Sequence, residues 1–251
     1  MIVILLTGSA YPEIIQIFNQ EGAIISTGKG KSASDRASGI ARYSIPDGIE
    51  LHKDVSYEFY PVFGKTFSEI VKSSEENGPF NKKEKMRFPS KHDWNIGWSY
   101  QFALSYDIDE EEKKVHVSLE LYDMDIRDEI TITLPTLIDD TALNPVEKNM
   151  WKNYLLRILE HEHDHVRIIR NPDSRNEALN SLKEINYLIF DYKEDMDIEK
   201  IVGRFLGEET ERIGSEWVKK IKARDDEYSK ITEHGRKHEN RGAFFKNKSS
   251  N

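Results

Sequence analysis

Residues 161 to 165 read His161-Glu162-His163-Asp164-His165, two imidazoles four positions apart with a carboxylate directly after the first. On an α-helix, positions i and i+4 lie about 40° apart on one face, so His161 and His165 can both reach one ion. Glu162 then stands beside that ion, where it can hold a water and take its proton. This His-Glu-x-x-His pattern is the arrangement of a zinc hydrolase with Glu162 as the catalytic general base. The bland alternative is a pair of hydrogen-bonded core histidines. The flanking residues weigh against it, because they predict a helix whose inward face carries all three groups.

That helix has a clear start in Asn144, Pro145 and Glu147: a capping side chain, a proline at the first turn and an acid near the positive end. Trp151, Tyr154, Leu155, Ile158 and Ile169 then recur at spacings of three, four or seven, and His161, Glu162 and His165 continue the same stripe. Polar residues where the period demands core are a local conflict of the kind usually kept for function. His163 falls roughly 200° from His161 and is expected in solvent.

Upstream, the pattern predicts a short helix over 13–20, a strand over 23–27 and one or two strands over 48–62. Thr66 caps a helix to about Glu76, stopped by Asn77-Gly78-Pro79, and a basic loop over 81–92 follows. Trp94, Ile96, Trp98, Tyr100, Phe102 and Leu104 alternate as a half-buried strand; Val115 to Leu121 and Ile130 to Leu134 give two more, an antiparallel meander with one wet face. After Asn171-Pro172, helices are expected from Ser174 to about Tyr192 and over 197–228, with a basic tail from Arg236. Strands first and helices second make an α+β fold with the metal helix laid against the sheet.

The 251 residues suffice for one large domain or two small ones. A net charge of −9 argues against a general nucleic-acid binder, which needs basic stripes. There is no cysteine, so a metal must be held by His, Asp, Glu or water. No stretch has the length of a membrane span. The apolar start, Met1 to Ala10, reads as either the back of an export signal or a first strand. Gly28-Lys29-Gly30-Lys31-Ser32-Ala33 imitates a phosphate loop but has Ile25 where the motif needs glycine, so a flexible surface loop is expected.

A catalytic zinc wants three protein ligands and one open position. The metzincin continuation is missing after His165, and the third donor is open between an acid, Glu184 or Glu177, and His234 in the segment Tyr228 to Gly235. Asp191, Glu194 and Asp195 read as a solvated helix end, or else as partners of the ligand histidines, and His238 as solvated.

Over roughly residues 55–243 the chain resembles the bacterial family called domain of unknown function nine-two-two, usually described as secreted zinc-dependent proteases. The resemblance rests on Gly64-Lys65-Thr66, Gly78-Pro79, the Trp94/Trp98 strand, Thr133-Leu134-Pro135, Trp151, the motif helix and Tyr228, Thr232, His234 and Gly235. It implies a zincin-like fold, His234 as third ligand, and Tyr228 as a second catalytic group near the open position. It also implies export to the periplasm or beyond, although the cysteines and complete signal common in the family are missing here. The division expected is an N-terminal segment over 1–54, a protease domain over 55–243 and a mobile tail over 244–251.

The functional expectation is therefore a zinc metallopeptidase cleaving peptide or protein substrates, with Zn2+ on His161, His165 and His234. Its rivals are an inactive, metal-stabilised binding module at the cell envelope and a zinc amidase or esterase on a non-peptide substrate.

Overall fold

The computed structural model describes residues 14–19, 24–28 and 45–246. In chain order its elements are β1 (Ile14–Asn19), β2 (Ile24–Gly28), β3 (Ser56–Val62), α1 (Phe67–Asn77), β4 (Phe80–Asn81), β5 (Met86–Arg87), β6 (Lys91–Asp109) and β7 (Lys114–Leu137). Then follow α2 (Pro145–Ile169), α3 (Pro172–Lys183), β8 (Tyr187–Asp191), α4 (Ile198–Ile231), a 3-10 turn (His238–Asn240) and α5 (Arg241–Lys246). This is an α+β order, as expected. The start of the chain before Ile14, the phosphate-loop lookalike after Gly28 and the tail beyond Lys246 lie outside the described residues.

The chain forms two compact units, and residues 55–243 contribute to both. The first takes its described residues from 14–19, 24–28, 95–128 and 171–220. There β1 pairs antiparallel with both β2 and β6, and β8 pairs antiparallel with β7. Residues 14–19, expected as a helix, are a strand. Ile14, Ile15, Ile17 and Phe18 suit either period over so short a run, and β-branched residues with two available partner strands decide it. The helix expected to run to Tyr192 stops at Lys183, and Tyr187–Asp191 is a strand whose Ile189 faces His116 on β7.

The second unit takes its described residues from 45–94, 129–170 and 221–246 and contains the motif helix. Here the expected antiparallel sheet is mixed: β3 runs parallel to β7, with Ser56 opposite Thr131 and Val62 opposite Leu137. Parallel neighbours need a crossover rather than a hairpin, and the chain from α1 to the start of β7 supplies it. β7 is also one strand where two were expected. Its buried positions are odd from Val115 to Leu121 and even from Ile130 to Leu134, and Asp123, at φ 48, lies between. An extra residue absorbed there flips the period-two pattern, which reads in sequence as a break.

The core of this unit is Val62, Ile70, Leu137, Leu143, Trp151 and Leu155, which joins β3, α1, β7 and α2. α2 starts as its sequence dictates. The Asn144 side chain accepts from the backbone of Val146 at 2.9 Å and Glu147 at 3.0 Å, and Glu147 accepts in return from the Asn144 backbone at 3.3 Å. Asn171 and Pro172 end it by capping α3.

One close approach fixes the segment that enters β6. A Cβ on Gly78 would lie 2.0 Å from the Phe88 carbonyl oxygen, so only glycine lets the end of α1 meet this backbone. Phe88 donates to the Pro79 carbonyl at 3.1 Å, and the Tyr60 hydroxyl to that of Pro89 at 2.8 Å. Urea unfolding checks both local readings. Asn144→Ala is expected to lose about 1 kcal/mol, the usual value of an N-cap. Gly78→Ala is expected to lose more, on the order of 1–3 kcal/mol, because backbone must move.

Candidate metal centre

α2 carries its polar triplet into the interior of the second unit: His165 is 1%, Glu162 3% and His161 4% exposed. The two histidines converge, with Nε2 of one 3.1 Å from Nε2 of the other and their rings nearly perpendicular at 89°. This is the i, i+4 geometry that the spacing predicts.

A buried polar group must be compensated by hydrogen bonds, and here the compensation comes from two other elements. From α4, Asp225 accepts from His165 Nδ1 at 2.6 Å, which fixes that ring with its Nε2 toward His161. From the start of β6, His92 reaches Glu162 through Nδ1 at 2.9 Å and Asp225 through Nε2 at 2.9 Å. Its ring stacks on His165 at 3.8 Å. Ser90 donates to the other oxygen of Glu162 at 2.5 Å. A continuous chain therefore runs Ser90–Glu162–His92–Asp225–His165–His161.

Burial opposes charge throughout this chain, yet the carboxylates win. Desolvation pushes Glu162 up, and the hydrogen bond and charge of His92 bring it down to about 2. Desolvation likewise raises Asp225, and His165 and His92 take it well below the usual carboxylate range. His92 would be neutral by burial alone, but the two acids lift it to about 10. His161 has no such partner: burial drops it to about 3, against the pull of Glu162. It is a neutral ring, and its Nδ1 is buried with no hydrogen-bond partner among the described residues.

α4 builds the wall behind the two imidazoles with Asp225, Tyr228 and Ser229, which share one face. Tyr228, fully buried, stacks on His161 at 5.1 Å and 19° and meets His165 edge-on at 4.9 Å. Its hydroxyl, expected from the resemblance at the open position, instead donates to Asp164 at 2.6 Å, and burial with that acid holds its pKa far above normal. Arg241 of α5 reaches the same Asp164 oxygen at 2.5 Å, and Phe244 packs on Tyr228 at 5.1 Å. In this arrangement Tyr228 seats the two imidazole rings of α2, and its hydroxyl is taken by Asp164.

Past α4, Glu233, His234 and Gly235 have φ of 47, 54 and 83°, three successive left-handed residues, two of them not glycine. Strain of this kind persists only where surrounding contacts impose it. It brings the backbone onto the site: a Cβ on Gly235 would lie 3.1 Å from His161 Cγ. The His234 ring lies against Phe88 at 4.2 Å, tilted by 36°, and its Nε2 pairs with Glu84 at 3.1 Å.

Of the residues read from sequence, His161, Glu162 and His165 thus come together, with Tyr228 in contact and His234 adjacent through Gly235. Glu177 and Glu184 belong to the first unit, where they line a cleft with Trp217 and Arg212. Asp191 is also in that unit, paired with Lys114 at 2.5 Å at the end of β8. His163 is not solvated: it is half-buried, with Nε2 2.8 Å from the Tyr57 hydroxyl and its ring against His52 at 4.0 Å. His238 bonds Glu160 at 2.6 Å. Sequence reasoning missed Asp225, His92 and Ser90. Asp225 had a signal, an acid three residues before Tyr228 on the same helical face; His92 sat in a stretch read as a basic loop and had none.

Two sets of side chains can hold a cation here. One is the converging Nε2 pair of His161 and His165 with a neighbour. The other is His92, His165 and Asp225, whose donor atoms all lie within 4.8 Å of one another. No curated protein and no solved structure matches the chain. The family of bacterial proteins of unknown function called DUF922 matches residues 57–235, which include every residue of this centre from His92 to Gly235. The chain belongs to that family.

Proposed function

We propose that this chain is a zinc-dependent hydrolase of zincin-like design, a metallopeptidase that cleaves amide bonds in peptide or protein substrates. One observation carries the reading: the His161 and His165 Nε2 atoms face each other at 3.1 Å, and Asp225 holds the second ring from behind. Two nitrogens on one tetrahedral zinc, each about 2.0–2.1 Å from it, lie roughly 3.3 Å apart. The pair therefore fits a shared ion with little movement. The trio of His92, His165 and Asp225 fits less well as ligands, since their 2.6 and 2.9 Å separations are those of hydrogen bonds. We assign that trio to orientation.

His234 is the proposed third ligand. Glu84 engages its Nε2, so Nδ1 is the nitrogen that would remain for an ion, much as Asp225 engages Nδ1 of His165 and leaves Nε2. A zinc ion in this set would supply Lewis acidity and lower the pKa of a water toward 7. The protein's own groups do the rest. Glu162 takes the proton of the attacking water and returns it to the leaving amine. Although Ser90 and His92 each bond one of its oxygens, a carboxylate has about four acceptor sites, so capacity for a water is left. Tyr228 and Gly235 hold the His161 ring in place.

The same double engagement of Glu162 favours one rival, a metal-stabilised binding module in which the glutamate is purely structural. Glu162→Gln separates the two. A catalyst keeps its zinc and loses about 10²–10⁴-fold in turnover of unfolded casein, whereas a binding module shows no turnover to lose. Elemental analysis should find one zinc per chain in the wild type, and its loss in His161→Ala and in His165→Ala. Zinc retained in full by His234→Ala would remove that residue from the ligand set. Gly235→Ala, which forces a Cβ against the His161 ring from a left-handed backbone, is expected to weaken zinc binding in chelator competition while the fold survives.

A further inference from the structure

The histidine on β6 is unlike the others in the molecule: both of its ring nitrogens contact buried carboxylates on two different helices. Nδ1 lies 2.9 Å from Glu162 on α2, and Nε2 lies 2.9 Å from Asp225 on α4. The ring is only 14% exposed and stacks against His165 at 3.8 Å. Each of those carboxylates has a separate task in the proposed site, Glu162 toward the substrate water and Asp225 toward the His165 ligand. We propose that His92 is a positioning residue that sets both at once, so that the base and the ligand-orienting acid are held by one side chain. The inference rests on the zinc-hydrolase reading.

The geometry around His92 supports a built role rather than a chance contact. Its backbone enters β6 directly after the stretch that Gly78 clamps, where the Phe88 carbonyl touches the end of α1. Ser90, two residues earlier, bonds the second oxygen of Glu162, so one short segment fixes both oxygens of that carboxylate. Asp225 is likewise engaged at both oxygens, by His92 and by His165. Remove the imidazole and each acid loses one of its two anchors, leaving Ser90 on Glu162 and His165 on Asp225.

The two ring nitrogens can be tested separately, because an asparagine amide occupies roughly the place of Nδ1 and a glutamine amide roughly that of Nε2. His92→Asn keeps a donor toward Glu162 and drops Asp225. It is expected to weaken zinc binding about 10–100-fold in chelator competition, the usual loss when the partner of a ligand histidine is disturbed. His92→Gln keeps the donor toward Asp225. It is expected to hold zinc within about threefold of wild type while its turnover of casein at saturating zinc falls. In an Asp225→Asn background, His92→Asn should add little to the loss of affinity, because its effect runs through that acid. Equal losses of affinity in the Asn and Gln variants would overturn the proposal, as would wild-type affinity in the Asn variant. So would additive losses with Asp225→Asn. A wild-type protein that takes up no zinc would instead sink the hydrolase reading itself, and circular dichroism of each variant separates both outcomes from misfolding.

Discussion

Ionised carboxylates are costly inside a protein unless something answers their charge, and the second unit buries two of them side by side. Glu162 and Asp225 are tolerable there because His92 is bonded to both and because His165 and Ser90 take their remaining oxygens. That single compensated cluster binds three elements: α2 brings the motif, α4 brings Asp225 and Tyr228, and β6 brings His92. None of the three can shift without leaving a buried charge unpaired. The helix face therefore stays polar in the middle of a core, which is what the convergence of His161 and His165 requires.

The rest of the unit arranges that convergence. α2 is fixed in rotation by Trp151 and Leu155, which sit in the apolar core about three and two turns before His161. Two glycines serve close approaches: at Gly78 a Cβ would lie 2.0 Å from the Phe88 carbonyl oxygen, and Gly235, at φ 83°, turns left-handed tightly against the His161 ring. Both belong to the short signatures by which the chain resembles its family, and the structure gives the physical reason for glycine at each. α5 closes the far side of α2, with Arg241 on Asp164 and Phe244 on Tyr228, although it lies past the family match at residue 235.

What the sequence revealed depended on whether the information was local. The start of α2 was legible to the residue, because its cap, its proline and its stripe are all local to the helix. The inward placement of His161, Glu162 and His165 followed from the same period. β7 was read as two strands because Asp123 breaks its alternation, a backbone event that composition does not announce. β8 and β1 were misread as helix, since short apolar runs satisfy both periods and partner strands settle them. His92 was invisible because its meaning comes from residues 70 and 133 positions away. His163 was misplaced for a similar reason: helical geometry puts it opposite His161, but only the tertiary fold brings Tyr57 and His52 over that side.

The central claim is that one divalent ion sits between the Nε2 atoms of His161 and His165. An anomalous difference map at the zinc absorption edge, from crystals of the wild-type protein grown with zinc, tests it most directly. The account predicts one strong peak about 2 Å from both nitrogens, with Asp225 still on His165 Nδ1. A peak on His92 and Asp225 instead, or no peak between the two histidines, would contradict it.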